Sequence, residues 1–328
     1  MALDRLAPTP QSSAERLLAE LARTSPAMRA AWVLTLLLSA SVPLLAPFAG
    51  VAIAWHEFWT LPALAAAVGV TGVLLRTQGR WARLGDVAEV AGALGLLAVL
   101  VPLLTCMLAR TAAPLADRQL IAWDAALGFD WLHLVTQLKD QQTLTLVLCH
   151  AYASLMQQPT VLLVALGLAR LTRRLQQFAL AWTIALVGTA LVFPFLPAVG
   201  GYLHYGFTPA DFPFIKVHAA WLHATVLEPL RNGTMTELGR VALEGIVTFP
   251  SFHTSAAVLL AWGFWGVRLV RWLALALNAA MIASCPIVGA HYIVDLIAGG
   301  VLAWGAIIVA RRLGAPATQH AELVWVSR

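Results

Sequence analysis

Charged residues are scarce in this chain. Asp, Glu, Lys and Arg make up 11 % of its 328 residues, whereas hydrophobic residues make up 60 % and the mean hydropathy is +0.79. A soluble domain of this length carries roughly 25 % charged residues. The shortage of charge therefore excludes an ordinary soluble domain and predicts a polytopic membrane protein.

Cysteine is scarce as well, and its placement excludes two kinds of site. Cys106, Cys149 and Cys285 each lie within an apolar segment, and none belongs to a paired motif. We interpret all three as small apolar residues, which excludes a disulfide framework and a thiolate metal site. No basic stripe is interleaved with aromatic residues, so the sequence predicts no nucleic-acid surface.

The amino terminus lacks the pattern of a cleavable signal peptide, since charges are spread over the first 27 residues and no early apolar core precedes a cleavage site. Segment 14–23 has the pattern of an amphipathic helix on the membrane surface, and a solvated tail fits the same pattern.

Eight stretches are apolar over about the 20 residues that a helix needs to cross a bilayer. They cover 29–49, 58–75, 87–109, 143–168, 177–197, 252–268, 272–289 and 292–310. They predict an all-α fold, a polytopic membrane helix bundle of about eight transmembrane helices. We divide the chain into a cytoplasmic amphipathic segment (1–27), N-terminal transmembrane helices (28–110), a membrane domain (111–313) and a cytoplasmic tail (314–328).

Lys and Arg in the connections predict the orientation of these spans, because cytoplasmic loops carry an excess of both. With the N-terminus in the cytoplasm, 15 of the 21 are cytoplasmic and six lie outside. Both termini are then cytoplasmic, in an inner or plasma membrane, or in an organelle membrane with the outer side facing the lumen. The six outer residues are Arg110, Arg118, Lys139, Lys216, Arg231 and Arg240.

The two longest connections also lie on the outer side. Segment 110–142 combines tryptophans with carboxylates, which predicts an interfacial helix at headgroup level. Segment 198–250 is rich in Gly, Pro, His and aromatics, and long ordered loops are often functional.

Two histidines at the ends of hydrophobic spans fall on the same predicted side. One closes the run Pro250-Ser251-Phe252-His253, and the other opens the run from His291 to Asp295. Residues four apart share a helix face, so Asp295 can accept a hydrogen bond from His291 and turn its other ring nitrogen outward as a nucleophile or base. His253 could act as a general acid, and Ser251 with the following helix N-terminus suits an anion. Together these groups suggest phosphoryl transfer through a phosphohistidine.

Two other interpretations compete with this one. Each histidine taken singly is more often structural, and a His-x-x-x-Asp pair with a third ligand could bind a metal. No further carboxylate or thiol lies at ligand spacing, so we predict neither a metal nor a cofactor. The presence of both motifs on one side favours the catalytic interpretation.

The two motifs resemble the second and third signature motifs of the type-2 phosphatidic acid phosphatase superfamily. The Ser-Phe-His form, and the phrase Ala-Trp-Asp-Ala-Ala-Leu-Gly-Phe-Asp-Trp at 122–131, are most similar to the branch related to inositol phosphorylceramide synthase. The motif resemblance covers about 250–300, and a looser likeness of layout covers about 115–310. It implies a metal-independent, six-helix membrane core that cleaves phosphate esters of lipids or transfers the phosphoryl-headgroup to another alcohol. His291 would be the nucleophile, Asp295 its orienting partner and His253 the general acid, with Ser251 beside the phosphate.

The sequence departs from the family pattern in its cations. The first motif of the family has a Lys and then Arg-Pro, but this chain has no Arg-Pro, and Cys285 stands where the third motif has an Arg. The phosphate charge still needs partners. The outer-side candidates are Lys216, Arg231 and Arg240, and Arg240 is the first choice because it lies closest to the motif at 250.

Three further residues are candidates for lining the substrate cavity. His150 and Tyr152 lie in the fourth span, where a buried ionisable group is a functional candidate, although a structural histidine is the more common case. His204 belongs to a Gly- and aromatic-rich segment that suits a lipid headgroup or a plain interfacial turn. Pro159, with the glutamines before it, is predicted to kink the same fourth span.

The sequence therefore predicts a lipid phosphatase or phosphotransferase that acts on a phospholipid or lipid phosphate at the non-cytoplasmic face. Water as the acceptor makes it a phosphatase, and an alcohol acceptor makes it a synthase. Its other partners would be membrane lipids, with no nucleic acid. The alternative is a non-catalytic lipid-binding or transport protein with the same fold, which the missing arginines favour and the lack of an internal repeat disfavours.

Overall fold

The computed structural model describes residues 12, 24–215, 221 and 223–314, and all structural statements concern these residues. The predicted amphipathic segment 14–23, the predicted tail beyond residue 314 and Lys216 lie outside the described residues.

The described chain is almost entirely helical, and its fold is all-α as predicted. Its longer helices are α1 (Pro26–Leu45), α2 (Thr60–Arg76), α3 (Ala82–Ala109), α4 (Asp117–Ala126), α5 (Trp131–Leu138), α6 (Gln142–Ala153), α7 (Gln158–Leu168), α8 (Thr172–Val192), α9 (Phe252–Phe264), α10 (Arg271–Val288) and α11 (Ile293–Leu313).

Shorter elements connect these helices. Single helical turns lie at Trp55–Phe58, Gly201–His204 and Glu228–Arg231, a π turn at His223–Leu227, and 3-10 turns at Gly79–Trp81, Ser154–Met156, Phe193–Phe195, Pro209–Asp211 and Arg240–Glu244. Strands Ala52–Ile53 and Glu237–Leu238 form a parallel pair, which joins the connection after α1 to the connection before α9.

The predicted hydrophobic spans each correspond to a helix or to a bent helix pair. In the described chain, the helices long and apolar enough to cross a membrane are Pro26–Leu45, Gly79–Ala109, Thr172–Phe195, Arg271–Val288 and Ile293–Leu313. Helices α6 and α7 together make a sixth apolar span with a bend of 56°. The remaining two predicted spans are the shorter apolar helices α2 and α9.

The bend between α6 and α7 lies where the sequence predicts a kink. Pro159 stands in the first turn of α7, where its missing N–H costs no helical hydrogen bond. The Gln158 side chain donates to the Ser154 hydroxyl at 2.9 Å and accepts from Asn278 of α10 at 2.7 Å. These polar groups therefore find partners between helices, as a broken helix in a membrane requires.

Helices α2 and α3 pack closely because glycines line their contact. A Cβ on Gly72 would lie 2.3 Å from the backbone nitrogen of Glu89, so no side chain fits between the two backbones. The buried Glu89 carboxylate also pairs with the Arg76 guanidinium at 2.5 Å and accepts a hydrogen bond from the Trp32 indole of α1 at 2.9 Å. The first three helices are thus fixed to one another by both packing and charge.

Two buried apolar clusters organise the bundle. The larger one is continuous through α1, α3, α8, α9 and α11 and includes Met28, Leu97, Phe178, Leu259 and Ala303. The smaller one contains Trp131, Tyr152, Tyr202, Val288 and Tyr292. It lies where α10 ends and α9 and α11 begin, which we name the site end of the bundle.

The connection before the fourth span differs from its prediction. The expected single interfacial helix is instead α4 and α5, which are separated by residues 127–130 with a turn at 127–128. Gly128 adopts a φ of +78° in that turn, which favours glycine, and the Asp130 carboxylate caps α5 by accepting from the His133 N–H at 2.9 Å.

We predict that Glu89→Ala destabilises the bundle by about 3–5 kcal/mol, because it leaves the buried Arg76 guanidinium without its carboxylate. Thermal melting of the purified protein in detergent measures the loss. Arg83→Ala is the control, since Arg83 is exposed on the same helix. Equal melting temperatures for the two variants would contradict the prediction.

Candidate active site

The two histidine motifs meet at the site end, where the start of α9 lies against the first turns of α11. The backbone N–H of Ser251 donates to the Asp295 carbonyl at 3.0 Å, and the Ser255 hydroxyl donates to the Gly299 carbonyl at 2.8 Å. A Cβ on Gly299 would lie 2.3 Å from the Ser251 carbonyl oxygen. Glycine at this position therefore allows the two backbones to come into contact.

His291 and Asp295 form the pair that their spacing predicts. The imidazole Nδ1 lies 3.3 Å from Oδ2 of Asp295, and the same oxygen accepts the Tyr292 N–H at 2.9 Å. Both side chains are buried, with 4 % of the His291 side chain exposed and none of Asp295. Since Nδ1 faces the carboxylate, Nε2 of His291 is directed away from it.

Tyr152 connects the two histidines. Its ring stacks on the half-buried His253 imidazole, with ring centroids 3.7 Å apart and planes 16° from parallel. A Cβ on Gly289 would lie 2.7 Å from Cδ2 of His291 and 2.8 Å from the Tyr152 hydroxyl oxygen. Gly289 thus leaves the space in which Tyr152 and His291 approach each other.

Ser251 is the N-cap of α9 and is fully buried. Its hydroxyl oxygen accepts from both the N–H and the hydroxyl of Thr254 at 3.3 Å. The Thr254 hydroxyl in turn lies 3.8 Å from the sulfur of buried Cys285. The N–H groups of the first helical turn, at Phe252 and His253, have no partner within the helix and favour an anion.

The predicted phosphate-binding arginines bind groups in the connections between helices, away from the two histidines. Arg240 binds Glu57, with its backbone N–H 2.6 Å from the carboxylate and its guanidinium 2.8 Å from the carbonyl. Arg231 donates to the Ala113 carbonyl at 2.7 Å. Within the described residues, no hydrogen bond or ion pair joins either arginine to the two histidines, and their role stays a prediction.

Of the predicted cavity residues, Tyr152 lies among the histidines and His150 does not. His150 is exposed on the opposite face of α6, and its Nδ1 bonds the Leu146 carbonyl at 2.7 Å. His204 is half-buried and makes an edge-to-face contact with Tyr205, with ring centroids 5.2 Å apart.

Two buried carboxylates of α4 bind the region around His291, at the loop 289–292 and the start of α11, and the sequence analysis did not predict this. Asp124 accepts the N–H groups of Ile293 and Val294, each at 2.9 Å. Asp117 accepts the Tyr292 hydroxyl at 2.9 Å and the Gly200 N–H at 3.0 Å. Burial raises the pKa of the Asp124 carboxyl, and the two backbone hydrogen bonds oppose that rise. The available signal was the presence of regularly placed carboxylates in an otherwise aromatic interfacial segment.

Two aromatic side chains bind the end of α10, which leads into the loop 289–292 that carries His291. The Trp131 indole N–H donates to the Pro286 carbonyl at 3.0 Å, and the Tyr202 hydroxyl donates to the Ile287 carbonyl at 2.6 Å. Carbonyls in the last turn of a helix have no partner within it, so these bonds complete the helix end. Within the described residues, no group of three or more His, Cys, Asp or Glu could hold a metal ion.

Comparison with known families matches residues 118–309 to the family described as the PAP2 superfamily, which is more than half of the chain. The match spans α4 to α11 and includes both histidine motifs. No curated protein and no solved structure matches the chain.

We predict that Gly299→Ala destabilises the site end by about 1–3 kcal/mol, because the new methyl group meets the Ser251 carbonyl and α9 must move away from α11. Gly300→Ala is the matched control, since a Cβ there would have no neighbour within 4 Å. Thermal melting in detergent distinguishes the two. A Gly299 variant as stable as the Gly300 variant would show that the close approach is absent.

Proposed function

The chain belongs to the PAP2 superfamily, and we propose that it is a membrane-embedded lipid phosphatase or phosphotransferase that acts on a phospholipid or lipid phosphate through a phosphohistidine. Membership supports a phosphatase-type function on lipid phosphates. The observation that carries the finer proposal is the convergence of His253, His291 and Asp295 at one end of the bundle. This arrangement provides a nucleophile, a carboxylate that orients it and a second imidazole.

In the first step, Nε2 of His291 attacks the phosphorus, and the bond from phosphorus to the leaving alcohol oxygen breaks. His253 gives its proton to that oxygen as the general acid. The Asp295 carboxylate, 3.3 Å from Nδ1, keeps the ring in the required tautomer and offsets the positive charge that the imidazole gains.

In the second step, an acceptor oxygen attacks the phosphorus of the phosphohistidine, and the phosphorus–nitrogen bond breaks. The proton of the acceptor passes to His253, which restores both histidines. Water yields a phosphatase, whereas an alcohol yields a transferase like that of the inositol phosphorylceramide synthase branch. The burial of His291 favours transfer, because a dry site limits attack by water.

The phosphate charge would be met by three kinds of group. The first-turn N–H groups of α9, beside Ser251, form an anion-binding helix terminus. The Tyr152 hydroxyl faces His291 across Gly289 and has no hydrogen-bond partner among the described residues, so it can donate to the phosphate. Lys216, Arg231 and Arg240 are the proposed cations; since a guanidinium has five N–H donors, the arginines retain donors beyond their present bonds.

We propose that the site end faces the non-cytoplasmic side and that both termini are cytoplasmic. Support comes from exposed arginines at the opposite end of the bundle, where α8 and α10 begin and α9 and α11 end. These arginines are Arg170, Arg173, Arg268, Arg311 and Arg312. Cytoplasmic connections of membrane proteins carry such an excess.

The proposal is tested with the purified protein and labelled phosphatidic acid, isoprenyl diphosphate and phosphatidylinositol, each with and without a ceramide or diacylglycerol acceptor. We expect turnover of at least one substrate and a loss of at least about 10³-fold in His291→Ala, since the nucleophile is removed. Undiminished turnover by His291→Ala would contradict the nucleophile assignment. Lipid binding without turnover of any substrate by the unmodified protein would favour the non-catalytic alternative.

Tyr152→Phe tests the proposed hydroxyl contact to the phosphate. Because the ring and its stacking on His253 are retained, we expect stability to be unchanged and kcat to fall by about 10-fold or more, as for one lost hydrogen bond to a charged group. His150→Ala on the opposite face of the same helix should leave kcat unchanged. A Tyr152→Phe variant with the kcat of the unmodified protein would remove the hydroxyl from the mechanism.

A further inference from the structure

The loop that carries His291 depends on contacts from other parts of the chain. It joins α10 to α11 over residues 289–292, and Ala290 adopts a φ of +56° within it. The Ala290 carbonyl of this loop accepts a hydrogen bond from the Gly201 N–H at 3.1 Å. A non-glycine residue in the left-handed region is strained, so the surroundings must maintain this conformation.

Asp124 binds the end of this loop from α4. Ile293 and Val294 are the first two residues of α11, whose N–H groups have no partner within the helix. The two carboxylate oxygens of Asp124 each accept one of them at 2.9 Å. Since the next residue is Asp295, the carboxylate sets the position at which α11 begins and hence the position of the partner of His291.

Asp117, two helical turns earlier on α4, binds both the loop and the segment that packs against it. One oxygen accepts the Tyr292 hydroxyl at 2.9 Å and the Gly200 N–H at 3.0 Å, and the other accepts the Val199 N–H at 3.1 Å. Gly200 lies against Ala290, since a Cβ on Gly200 would be 3.0 Å from the Ala290 Cβ. Asp117 thus connects the residues on both sides of His291 to α4.

Both carboxylates are buried and are therefore not surface charges. Asp117 and Asp124 are 2 % and 1 % exposed, and within the described residues neither has an Arg or Lys partner. A buried carboxylate without a cation is stable only where N–H and O–H donors surround it. For Asp124 those donors are the first two N–H groups of α11. For Asp117 they are the Tyr292 hydroxyl and the N–H groups of Val199 and Gly200. The carboxylates and the conformation of these segments therefore stabilise each other.

We propose that Asp117 and Asp124 are positioning residues that hold His291 and Asp295 in their reactive geometry by binding the Tyr292 hydroxyl and the backbone N–H groups of 293 and 294, which lie between these two residues in the chain. The proposal rests on the proposed function, because it assigns these carboxylates to the same reaction. Neither residue touches the phosphate. Displacement of a reacting group by about 1 Å is enough to lower a rate by about 10²-fold.

The test compares Asp124→Ala and Asp124→Asn with Asp211→Ala. Asp211 is a suitable control, because it also accepts a backbone N–H and a hydroxyl, both from Thr208, but belongs to an outer turn that does not bind 290–294. Each variant is measured for kcat and KM on the best substrate, for melting temperature and for amide hydrogen exchange of the peptide that covers 289–297.

We expect Asp124→Ala to speed exchange in that peptide and to lower kcat by about 10- to 100-fold with KM within about 2-fold. Asp124→Asn retains one acceptor oxygen and should show an intermediate kcat, whereas Asp211→Ala should leave both exchange and kcat unchanged. A merely structural role would lower the melting temperature without this selective loss of kcat.

Two results would overturn the proposal. The first is that amide exchange in 289–297 is as slow in Asp124→Ala as in the unmodified protein. The second is that Asp124→Ala has the same kcat as Asp211→Ala. Absence of lipid-phosphate turnover in the unmodified protein would count against the proposed function, and the positioning assignment would fail with it. If exchange in 289–297 were still slow and depended on Asp124, the role of Asp124 would be to stabilise this segment and not to position a catalytic group.

Discussion

The arrangement of the site depends on carboxylates that bind the N-terminus of α11. Asp124 accepts the first two N–H groups of this helix, and Asp295 accepts the N–H of Tyr292 while facing His291. A helix N-terminus stabilises nearby negative charge, so these buried carboxylates do not need arginine or lysine partners. The orientation of His291 follows, because its Nδ1 faces a carboxylate whose own position is fixed by the helix start.

Elsewhere in the bundle, too, the apolar surroundings require partners for buried polar groups. Each buried polar group must find its partner within the protein, since hydrocarbon offers none. Glu89 therefore pairs with Arg76, and Gln158 bonds Asn278 at the bend of the fourth span. At the site, the buried Oδ1 of Asp295 lacks a hydrogen-bond partner among the described residues. No hydrogen bond joins the Tyr152 hydroxyl, beside His291, to a described residue either. A polar group left open in such a setting is suited to a ligand.

Much of the fold was predictable because hydrophobic length and charge placement are local properties of the chain. The spans, the kink before Pro159 and the i,i+4 pairing of His291 with Asp295 all follow from short-range rules. The close approach of α9 to α11 at Gly299 was not predictable, since it joins residues 48 positions apart, Ser251 and Gly299, and glycine alone does not specify which backbone will approach. The role of Asp117 and Asp124 was missed for the same reason, and the split of α4 from α5 depended on one turn at Gly128.

The sequence by itself determined that the chain is a membrane-type helical bundle and that it carries two histidine motifs, which resemble motifs of the PAP2 superfamily. Composition and residue spacing are sufficient for these conclusions. Only the tertiary structure decided that Tyr152 joins His253 and His291 while His150 faces outward, and that Arg231 and Arg240 bind backbone carbonyls. The reason is that these contacts depend on how helices rotate and pack against one another, which a single helix's pattern does not specify.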